Sequence, residues 1–432
     1  MKTLKSHTIS PFGGYNFVID ELDKQGIDKL LFKNLPLLPH QSKYSWKDLI
    51  YNLWGIYFCG GDSIEDLSLN LKGSYGRNPK IKSPSPDRVL NRMKELAIPT
   101  TKFATPRGKR AIHEFGINDK LNSLNIRLLK KLKLLKTTDL VLDYDNTILY
   151  TKKKDAAMTY KKEFGYCPGV AIINNKIIYV ENRNGNSAAA NLQEDTLKRM
   201  FLLLEEQNIK IDKFRADGAS YKLSILPILR KNTNTFYIRA NMSEPLMKAI
   251  TNIKNWNEVV IDGEVTYRGS IDFTPFISIA KRNSTKGLLK TYKLIVTKIR
   301  RIDGQSNVFS KEPYNYHAIL TNDDEMTNDE VVFFYNQRGA IEKEFDVLKN
   351  DFGWKKLPFS KLENNTVFLI LTAMCRNIYS FIIQTFSETY KNLSSHYRIK
   401  KFIFRFICIP AKWVLKSRQW KLRIYGEIAF KT

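Results

Sequence analysis

The sequence predicts an α/β protein in which a mixed sheet is preceded by a helical region and interrupted by a β-rich insertion. Changes of hydrophobic periodicity along the chain support this prediction. Residues 1–136 have apolar side chains at helical spacing, residues 137–240 combine short apolar strands with a helix, and residues 241–325 alternate as strands do. Residues 326–432 become helical again and end in a basic tail, which we also predict to be helical. We therefore expect four regions with these boundaries.

The first region contains a pattern that is typical of DNA-binding helices. A helix is predicted over Trp46–Phe58, followed by a basic loop at 72–86 and a second helix at 86–96. The second helix would expose Arg88 and Arg92, as a helix-turn-helix-like reader of DNA requires. Ordinary packing of helices explains the same pattern equally well, so both interpretations stay open.

The second region contains the elements of a mixed sheet. A short apolar strand runs through residues 140–145, and two further strands at 170–173 and 177–180 flank a hairpin signal. A helix is predicted at 197–207, followed by a strand at 210–217. Strand, hairpin, helix and strand in this order imply at least one crossover connection.

The charge of the chain indicates a polyanionic partner. The sequence has 70 Lys and Arg against 43 Asp and Glu, which gives a formal net charge of +27. Such an excess most often indicates nucleic acid. An anionic membrane would recruit a local basic cluster, whereas this charge is spread along the chain. The tail 401–432 carries eight Lys and Arg against one acid and alternates them with aromatic residues. That pattern suits a nucleic-acid surface, although a solvated amphipathic element would look the same.

Other classes of protein are excluded by simple features. The aromatic content of 12% excludes disorder, and four widely separated cysteines exclude a zinc ribbon or a disulfide scaffold. The most apolar stretch, 366–386, carries Arg376 and Asn377 in its middle, so a buried helix explains it better than a membrane span. The first residues lack the apolar core of a signal peptide. We expect a cytoplasmic protein with no membrane partner.

Acidic residues stand where two of the predicted strands end. Asp143 and Asp145 are two residues apart and therefore share one face of the first strand. Asp217 ends the later strand, and Gly218 after it allows the close approach of a ligand or of the chain. Any one of these acids read alone is more often an ordinary strand-end residue.

The helix predicted at 329–352 carries an unusual set of polar residues on one side. Its polar residues project within an arc of about 60° on one helix face, namely Tyr335, Arg338, Glu342 and Lys349. A helix that buries a core stripe would fill this arc with leucine and isoleucine. Carboxylates from two strand ends and one helix suit Mg²⁺, which prefers oxygen ligands. Two such ions can activate a nucleophile and stabilise the leaving oxygen of a phosphodiester.

These residues resemble the signature of a known protein family. The spacing Tyr335-x2-Arg338-x3-Glu342-x6-Lys349 matches the Tyr-Arg-Glu-Lys signature of the DDE transposases of bacterial insertion sequences, most closely the insertion-sequence-1380 group. The strand around Asp145 resembles the family's first-aspartate strand, and the strand before Asp217 resembles its second. The resemblance covers nearly the whole chain. It implies an RNase H-like catalytic core with the β-rich insertion between the second Asp and the Glu.

The resemblance also implies roles. Asp145, Asp217 and Glu342 would be the catalytic metal ligands for two Mg²⁺ ions, with Mn²⁺ as a possible substitute. Tyr335, Arg338 and Lys349 would contact DNA, as Arg88 and Arg92 would in the first region. The partners would be double-stranded DNA, namely the terminal inverted repeats and the target, with a homodimer in the DNA complex. The protein would lie in the bacterial cytoplasm with the nucleoid.

Several alternatives remain at this point. Asp143 could replace Asp145 as the first ligand, although Asp145-Asn146-Thr147 fits the usual Asp-x-Thr form of the motif. The segment 183–186 resembles a family loop that positions phosphate or strand, and a plain turn explains it as well. An RNase H-like nuclease without strand transfer would share the carboxylates. A catalytically silent DNA-binding protein derived from a transposase would not need them.

Overall fold

The computed structural model of the chain describes residues 9–75, 78–104, 112–261, 264–301, 314–428 and 430. Part of the basic loop at 72–86 and the first residues of the chain therefore lie outside the described residues. The first third is mostly helical. Its elements are α1 (Tyr15–Lys24), α2 (Ile27–Asn34), α3 (Trp46–Phe58), α4 (Lys72–Tyr75), α5 (Pro86–Lys94), β1 (Thr101–Ala104), β2 (Ile112–Gly116) and α6 (Asp119–Lys131).

The next elements build the sheet and its extension. They are β3 (Val141–Asn146), β4 (Leu149–Tyr150), β5 (Ala157–Met158), β6 (Phe164–Tyr166), β7 (Gly169–Ile173), β8 (Lys176–Arg183), α7 (Gln193–Glu206), β9 (Ile211–Ala216), α8 (Leu226–Asn232), β10 (Thr233–Ala240), α9 (Glu244–Thr251), β11 (Asn257–Ile261), β12 (Glu264–Phe273), α10 (Ile277–Arg282), β13 (Tyr292–Arg300) and β14 (Tyr314–Thr321). The chain ends with α11 (Asn328–Asn336), α12 (Ala340–Asp351), α13 (Leu362–Thr389), α14 (Ile399–Phe402), β15 (Ala411–Lys416) and β16 (Gln419–Ile424).

Local signals in the sequence account for several of these elements. Ser45 and Asp48 form a capping box at the start of α3, and Ser85 caps α5, whose first residue is Pro86. The predicted hairpin is β7–β8, and both residues of its turn, Asn174 and Asn175, have positive φ angles of 47° and 65°. A two-residue hairpin loop with this backbone follows the twist of its strands.

The large sheet is mixed, with parallel strands at its centre. Its strand order is β1-β2-β8-β7-β3-β9-β10-β14-β13-β12-β11. In the centre, β3, β9 and β10 are parallel, whereas β7 is antiparallel to both β3 and β8. The strands β14, β13, β12 and β11 then continue antiparallel from β10. The predicted α/β fold class is therefore confirmed, and the β-rich segment extends the same sheet.

Helix α13 joins the helical first third to this sheet. Trp54 donates its indole N–H to the carbonyl of Leu371 at 2.9 Å, and Asn377 donates to the carbonyl of Ile177 on β8 at 2.8 Å. Among the described residues α13 is the one helix long and apolar enough to cross a membrane by length and composition. However, 83% of its apolar window is buried inside the protein, as a core helix requires. Asn377 is thus a buried residue whose side chain forms a hydrogen bond to the sheet.

Two parts of the predicted secondary structure are wrong, and a third region contains an element that was not predicted. The helix expected over 329–352 is two helices, because the 3₁₀ turn Gln337–Gly339 separates α11 from α12. The helical tail ends in the π-helical turn Ile403–Ile407, and the chain then forms the antiparallel hairpin β15–β16. The first 136 residues also contain the hairpin β1–β2, and β2 pairs with β8 at the edge of the sheet.

Candidate active site

One cleft contains most of the residues that the signature predicts. Asp145 lies near the end of β3, Asp217 directly follows β9, and Glu342 is in the first turn of α12. Together with Tyr335 and Arg338 they line a cleft of about 620 Å³. Because β3 and β9 are neighbouring parallel strands, their carboxyl ends meet at the same edge of the sheet. The fold therefore brings the two aspartates together across this pair of strands.

The structure distinguishes the two candidates for the first acid. The guanidinium of Arg215 donates from Nε and Nη2 to the two carboxylate oxygens of Asp143, both at 2.7 Å. Asp143 is buried and does not line the cleft. Burial raises the pKa of Asp143, and the hydrogen bonds from Arg215 oppose that rise. Asp145 is thus the residue of this strand that faces the cleft, while Asp143 binds an arginine inside the protein.

Arg215 and Tyr335 hold α11 against the strand ends. Arg215 donates from Nη1 to the carbonyl of Phe334 at 2.6 Å, and its guanidinium lies 4.6 Å from the centre of the Phe334 ring. The hydroxyl of Tyr335 donates to the carbonyl of Ala216 at 3.2 Å. These contacts fix the end of α11, and the 3₁₀ turn after it aims Arg338 and Glu342 into the cleft.

Asp145 lies in an unusual electrostatic environment. Burial raises its pKa to about 6, and the charge of Asp217 acts in the same direction. Arg338 opposes the rise, because its Nη2 donates to Oδ2 of Asp145 at 2.7 Å. Arg338 is itself only 8% exposed, and its Nε has no hydrogen-bond partner among the described atoms. A perturbed acid beside another acid and a buried arginine is typical of a functional site.

The donor chemistry of the cleft fits a hard divalent cation. The three acids present only carboxylate oxygens, which are the ligands that Mg²⁺ prefers. Within the described residues, no three His, Cys, Asp or Glu side chains converge closely enough to hold a metal ion. The acids thus share the cleft without forming a closed ligand cluster, and Arg338 occupies one oxygen of Asp145.

Lys349 lies outside the cleft. It is near the end of α12, two helical turns from Glu342, which corresponds to roughly 10 Å along the helix axis. Burial lowers the pKa of Lys349, and the charge of Lys355 lowers it further. The arc of about 60° calculated for a continuous helix does not apply, because the 3₁₀ turn intervenes. A contact of Lys349 with DNA stays a prediction.

The two arginines of α5 also lie away from the cleft, and they differ from each other. Arg92 donates from Nη1 to both carboxylate oxygens of Glu95 at 2.9 and 2.8 Å and from Nη2 to Ser42 at 3.0 Å. Arg88 is exposed on the same helix. The role of both residues in DNA binding stays a prediction, and Arg88 is the more exposed of the two.

The cleft includes residues that sequence reasoning missed. Arg239 at the end of β10, together with Asn241, lines the cleft next to Asp217. Asn241 donates to the carbonyl of Gly218 at 2.7 Å, and a Cβ on Gly218 would lie 2.1 Å from the Asn241 side-chain oxygen. The close approach expected at Gly218 is therefore made by the chain itself. Because β10 is parallel to β9, its end could have been assigned to the same edge.

The segment 183–186 holds a loop at the rim of the cleft. Arg183 is fully buried, with its guanidinium 4.3 Å from the centre of the Phe115 ring. It donates to the carbonyl of Ala189 at 3.4 Å and also to that of Asn191. Lys222 donates to the carbonyl of Ala190, which lines the cleft. Arg183 therefore supports the rim from inside the protein.

The buried pair of Arg215 and Asp143 should be important for stability. Replacing Arg215 by Met removes the cation but keeps much of the apolar stem, and it leaves the Asp143 carboxylate buried without its partner. We expect the free energy of unfolding to fall by about 3–5 kcal/mol in urea denaturation. Lys213→Met on the same strand is the control, because Lys213 pairs with the exposed Asp139 at 3.1 Å and should change stability by less than about 1 kcal/mol. Equal midpoints for the two variants would contradict the role given to Arg215.

Comparisons with known proteins identify the family of the chain. The family model described as transposase DDE domain group 1 matches residues 88–432. No curated protein matches the chain. One solved structure that is similar to it is a piggyBac transposase in a synaptic complex with hairpin DNA. The two chains are 12% identical, with a TM-score of 0.41, and the match covers 92% of this chain and 79% of that one.

The family match includes β3, β9, α11 and α12, and so every residue of the cleft named above. It extends over most of the chain, from α5 to the last residue. Membership of the insertion-sequence-1380 group within this family stays a prediction. The chain belongs to the DDE transposases, and it is an enzyme of this class.

Proposed function

We propose that this transposase binds the terminal inverted repeats of its own element, cleaves there with divalent cations, and joins the freed end to target DNA. The observation that carries the proposal is the single cleft that contains Asp145, Asp217, Glu342 and Arg338. We further propose a homodimer in the DNA complex, in the cytoplasm of a bacterial cell.

The carboxylates and the cations of the cleft have separate roles in this proposal. Asp145, Asp217 and Glu342 would hold two Mg²⁺ ions, or Mn²⁺ in their place. When bound, the ions would activate the attacking oxygen and stabilise the leaving oxygen of the phosphodiester. Arg338 keeps Asp145 in position before DNA arrives, and its guanidinium lines the cleft in which a phosphate would lie. Tyr335 and Lys349 would contact the DNA backbone.

The test uses a duplex taken from the inverted repeat that flanks the gene, with products resolved on a gel. With Mg²⁺ or Mn²⁺ we expect a cut at the repeat end and joined product when target DNA is added. With Ca²⁺ we expect binding without efficient cleavage. Cleavage without joining would instead indicate a nuclease. Binding without cleavage in both Mg²⁺ and Mn²⁺ would indicate a silent DNA-binding protein.

DNA binding should depend strongly on salt. The net charge of +27 implies an extended basic surface that contacts at least about five phosphates. The logarithm of the association constant should then fall with the logarithm of salt concentration with a slope of roughly −4.5 or steeper. Fluorescence anisotropy of a labelled duplex between 50 and 300 mM NaCl, in Ca²⁺, would measure this slope. A slope near zero would exclude the electrostatic contact.

A further inference from the structure

The hairpin β15–β16, which we call the basic ribbon (Ala411–Ile424), is attached to the protein only at its base among the described residues. Ser10 and Ala411 exchange backbone hydrogen bonds of 2.8 and 2.9 Å, and Trp413 donates to the side chain of Asn16 at 3.1 Å. Towards the turn, Leu415 is 61% exposed and Trp420 is 49% exposed. Because these two residues face each other across the strands, their exposure shows that the tip projects beyond the body of the protein.

The strand register places the cations of the ribbon on one face. Directly opposed residues share a face, and successive residues alternate between faces. Lys412 is opposite Arg423, Val414 is opposite Lys421, and Lys416 is opposite Gln419. One face of the ribbon therefore carries four cations. The other face carries the pairs Trp413–Leu422 and Leu415–Trp420.

The charge of the ribbon is not compensated. Its 14 residues include five cations and no acid, with Arg418 in the turn as the fifth. None of the five forms an ion pair with a described residue, whereas many other cations of the protein do, for example Lys47 with Asp23 and Lys356 with Asp62. Ser417 and Arg418 have positive φ angles of 53° and 62°, so the turn is tight and the two strands stay close together up to the tip.

We propose that the basic ribbon is a second DNA-binding element of the enzyme, which lies in a groove of duplex DNA and contacts the backbone phosphates with its cationic face. The major groove of B-DNA is about 12 Å wide and admits a two-stranded β-ribbon. Lys412, Lys416, Lys421 and Arg423 contact phosphates on that face. This proposal rests on the proposed function, since it names a second contact with the same DNA.

The ribbon and the cleft have different roles. None of the described contacts joins the ribbon to a residue of the cleft, and its base contacts α1 and the segment before it. The ribbon therefore acts on affinity and its salt dependence, whereas the carboxylates act on cleavage. Losing the ribbon cations should weaken binding without slowing cleavage of DNA that is already bound.

The test compares three variants of the full chain. The neutral variant carries Lys412→Gln, Lys416→Gln, Lys421→Gln and Arg423→Gln. The charge-retaining variant exchanges the same residues between Lys and Arg. The off-ribbon control carries Lys210→Gln and Lys231→Gln, which lie at the edge of the sheet opposite the cleft. Duplex affinity is measured against NaCl in Ca²⁺, and the single-turnover cleavage rate at saturating protein in Mg²⁺. Thermal unfolding checks that all variants are folded.

For the neutral variant we expect a salt slope shallower by roughly 3–4, since each phosphate contact contributes about 0.9, and at least about tenfold weaker binding at 0.1 M salt. The neutral variant should keep the wild-type cleavage rate at saturating protein. The charge-retaining variant and the off-ribbon control should match the wild type in affinity and salt slope. An unchanged salt slope in the neutral variant would overturn the ribbon proposal. In that case, cleavage of the duplex by the wild type would still support the proposed function. Tighter binding to an RNA duplex of the same sequence would also overturn it. A wild type that neither binds nor cuts the duplex would overturn both.

Discussion

Replacing Glu342 by Gln is expected to reduce cleavage by at least about a thousandfold, which corresponds to about 4 kcal/mol of transition-state stabilisation. Glutamine keeps the size of the side chain but removes a negative charge that a bound divalent cation requires. Glu342 is exposed in the first turn of α12 and has no described ion pair, so its replacement should not disturb the fold. Duplex binding in Ca²⁺ should also survive, because it depends on basic residues outside the cleft.

The measurement is single-turnover cleavage of the repeat duplex, together with thermal unfolding of each variant. Glu206→Gln is the matched control. Glu206 is exposed at the end of α7, which leads into β9 at the edge of the sheet opposite Asp217. It should keep full activity. Full activity of the Glu342 variant, or an equal loss in both variants, would show that the helix-borne ligand has been placed wrongly.

Glu344 is not a suitable control, although it lies about 200° around α12 from Glu342 and faces away from the cleft. It accepts two hydrogen bonds from Arg376 on α13, at 3.0 and 2.8 Å, and both side chains are largely buried. Glu344→Gln would leave the Arg376 cation without its charged partner inside the protein. Helix geometry alone would predict that Glu344 tolerates replacement, whereas these contacts give it a role in packing α12 against α13. A loss of activity there would report on folding.

The parts of the fold that sequence reasoning predicted are those with local causes. The helix Trp46–Phe58 was predicted with its observed bounds from its apolar spacing and the glycines that follow it, and the structure adds a capping serine at its start. The hairpin β7–β8 follows from two asparagines between apolar strands. The acids at the ends of β3 and β9 could be placed together, because a crossover makes those strands parallel. Each of these features depends on a few neighbouring residues.

The break between α11 and α12 has a tertiary cause. No proline interrupts the segment Tyr335–Glu342, and its only glycine is Gly339. The contacts that fix the end of α11 come from β9, through Arg215 and Ala216, more than a hundred residues earlier in the chain. The spacing of the signature therefore predicted which residues share the cleft more reliably than it predicted the directions in which their side chains project. Lys349 is the residue most affected, because it was expected on the same helix face and lies outside the cleft.

The basic ribbon was missed for a different reason. The segment Gln419–Arg423 alternates polar and apolar residues with a period of two, and Lys412–Lys416 does so except at Val414, which is a strand signal. The turn residues Ser417 and Arg418 are not a typical hairpin pair, so the signal for the turn was absent. Charge and aromatic content were recognised, but their arrangement on one face depends on the strand register. A helical tail would have distributed the same cations around its axis.

Asp145→Asn is expected to abolish detectable cleavage and, in the absence of metal, to leave the protein as stable as the wild type or more stable. Burial raises the pKa of Asp145 from 3.8 to about 6, so its carboxylate is less favourable in the folded protein than in the unfolded chain. Asparagine has no such charge, and its side-chain oxygen can still accept the hydrogen bond from Arg338. The acid is thus retained for the reaction at the expense of stability, which is common in active sites.

The sign of the pH dependence follows from this shift. A raised folded-state pKa contributes stability that is fully present below the unfolded value near 3.8 and is lost as the pH rises through about 6. In EDTA the two proteins should therefore be similarly stable at pH 4. At pH 8 the Asn variant should be the more stable by up to about 3 kcal/mol, since each pKa unit corresponds to about 1.4 kcal/mol. Urea denaturation at the two pH values measures the difference.

Adding Mg²⁺ should then stabilise the wild type alone, because a ligand that binds the folded state shifts the equilibrium towards it. An Asn variant that is several kcal/mol less stable than the wild type at pH 8 would mean that Asp145 serves the fold through Arg338, as Asp143 does through Arg215.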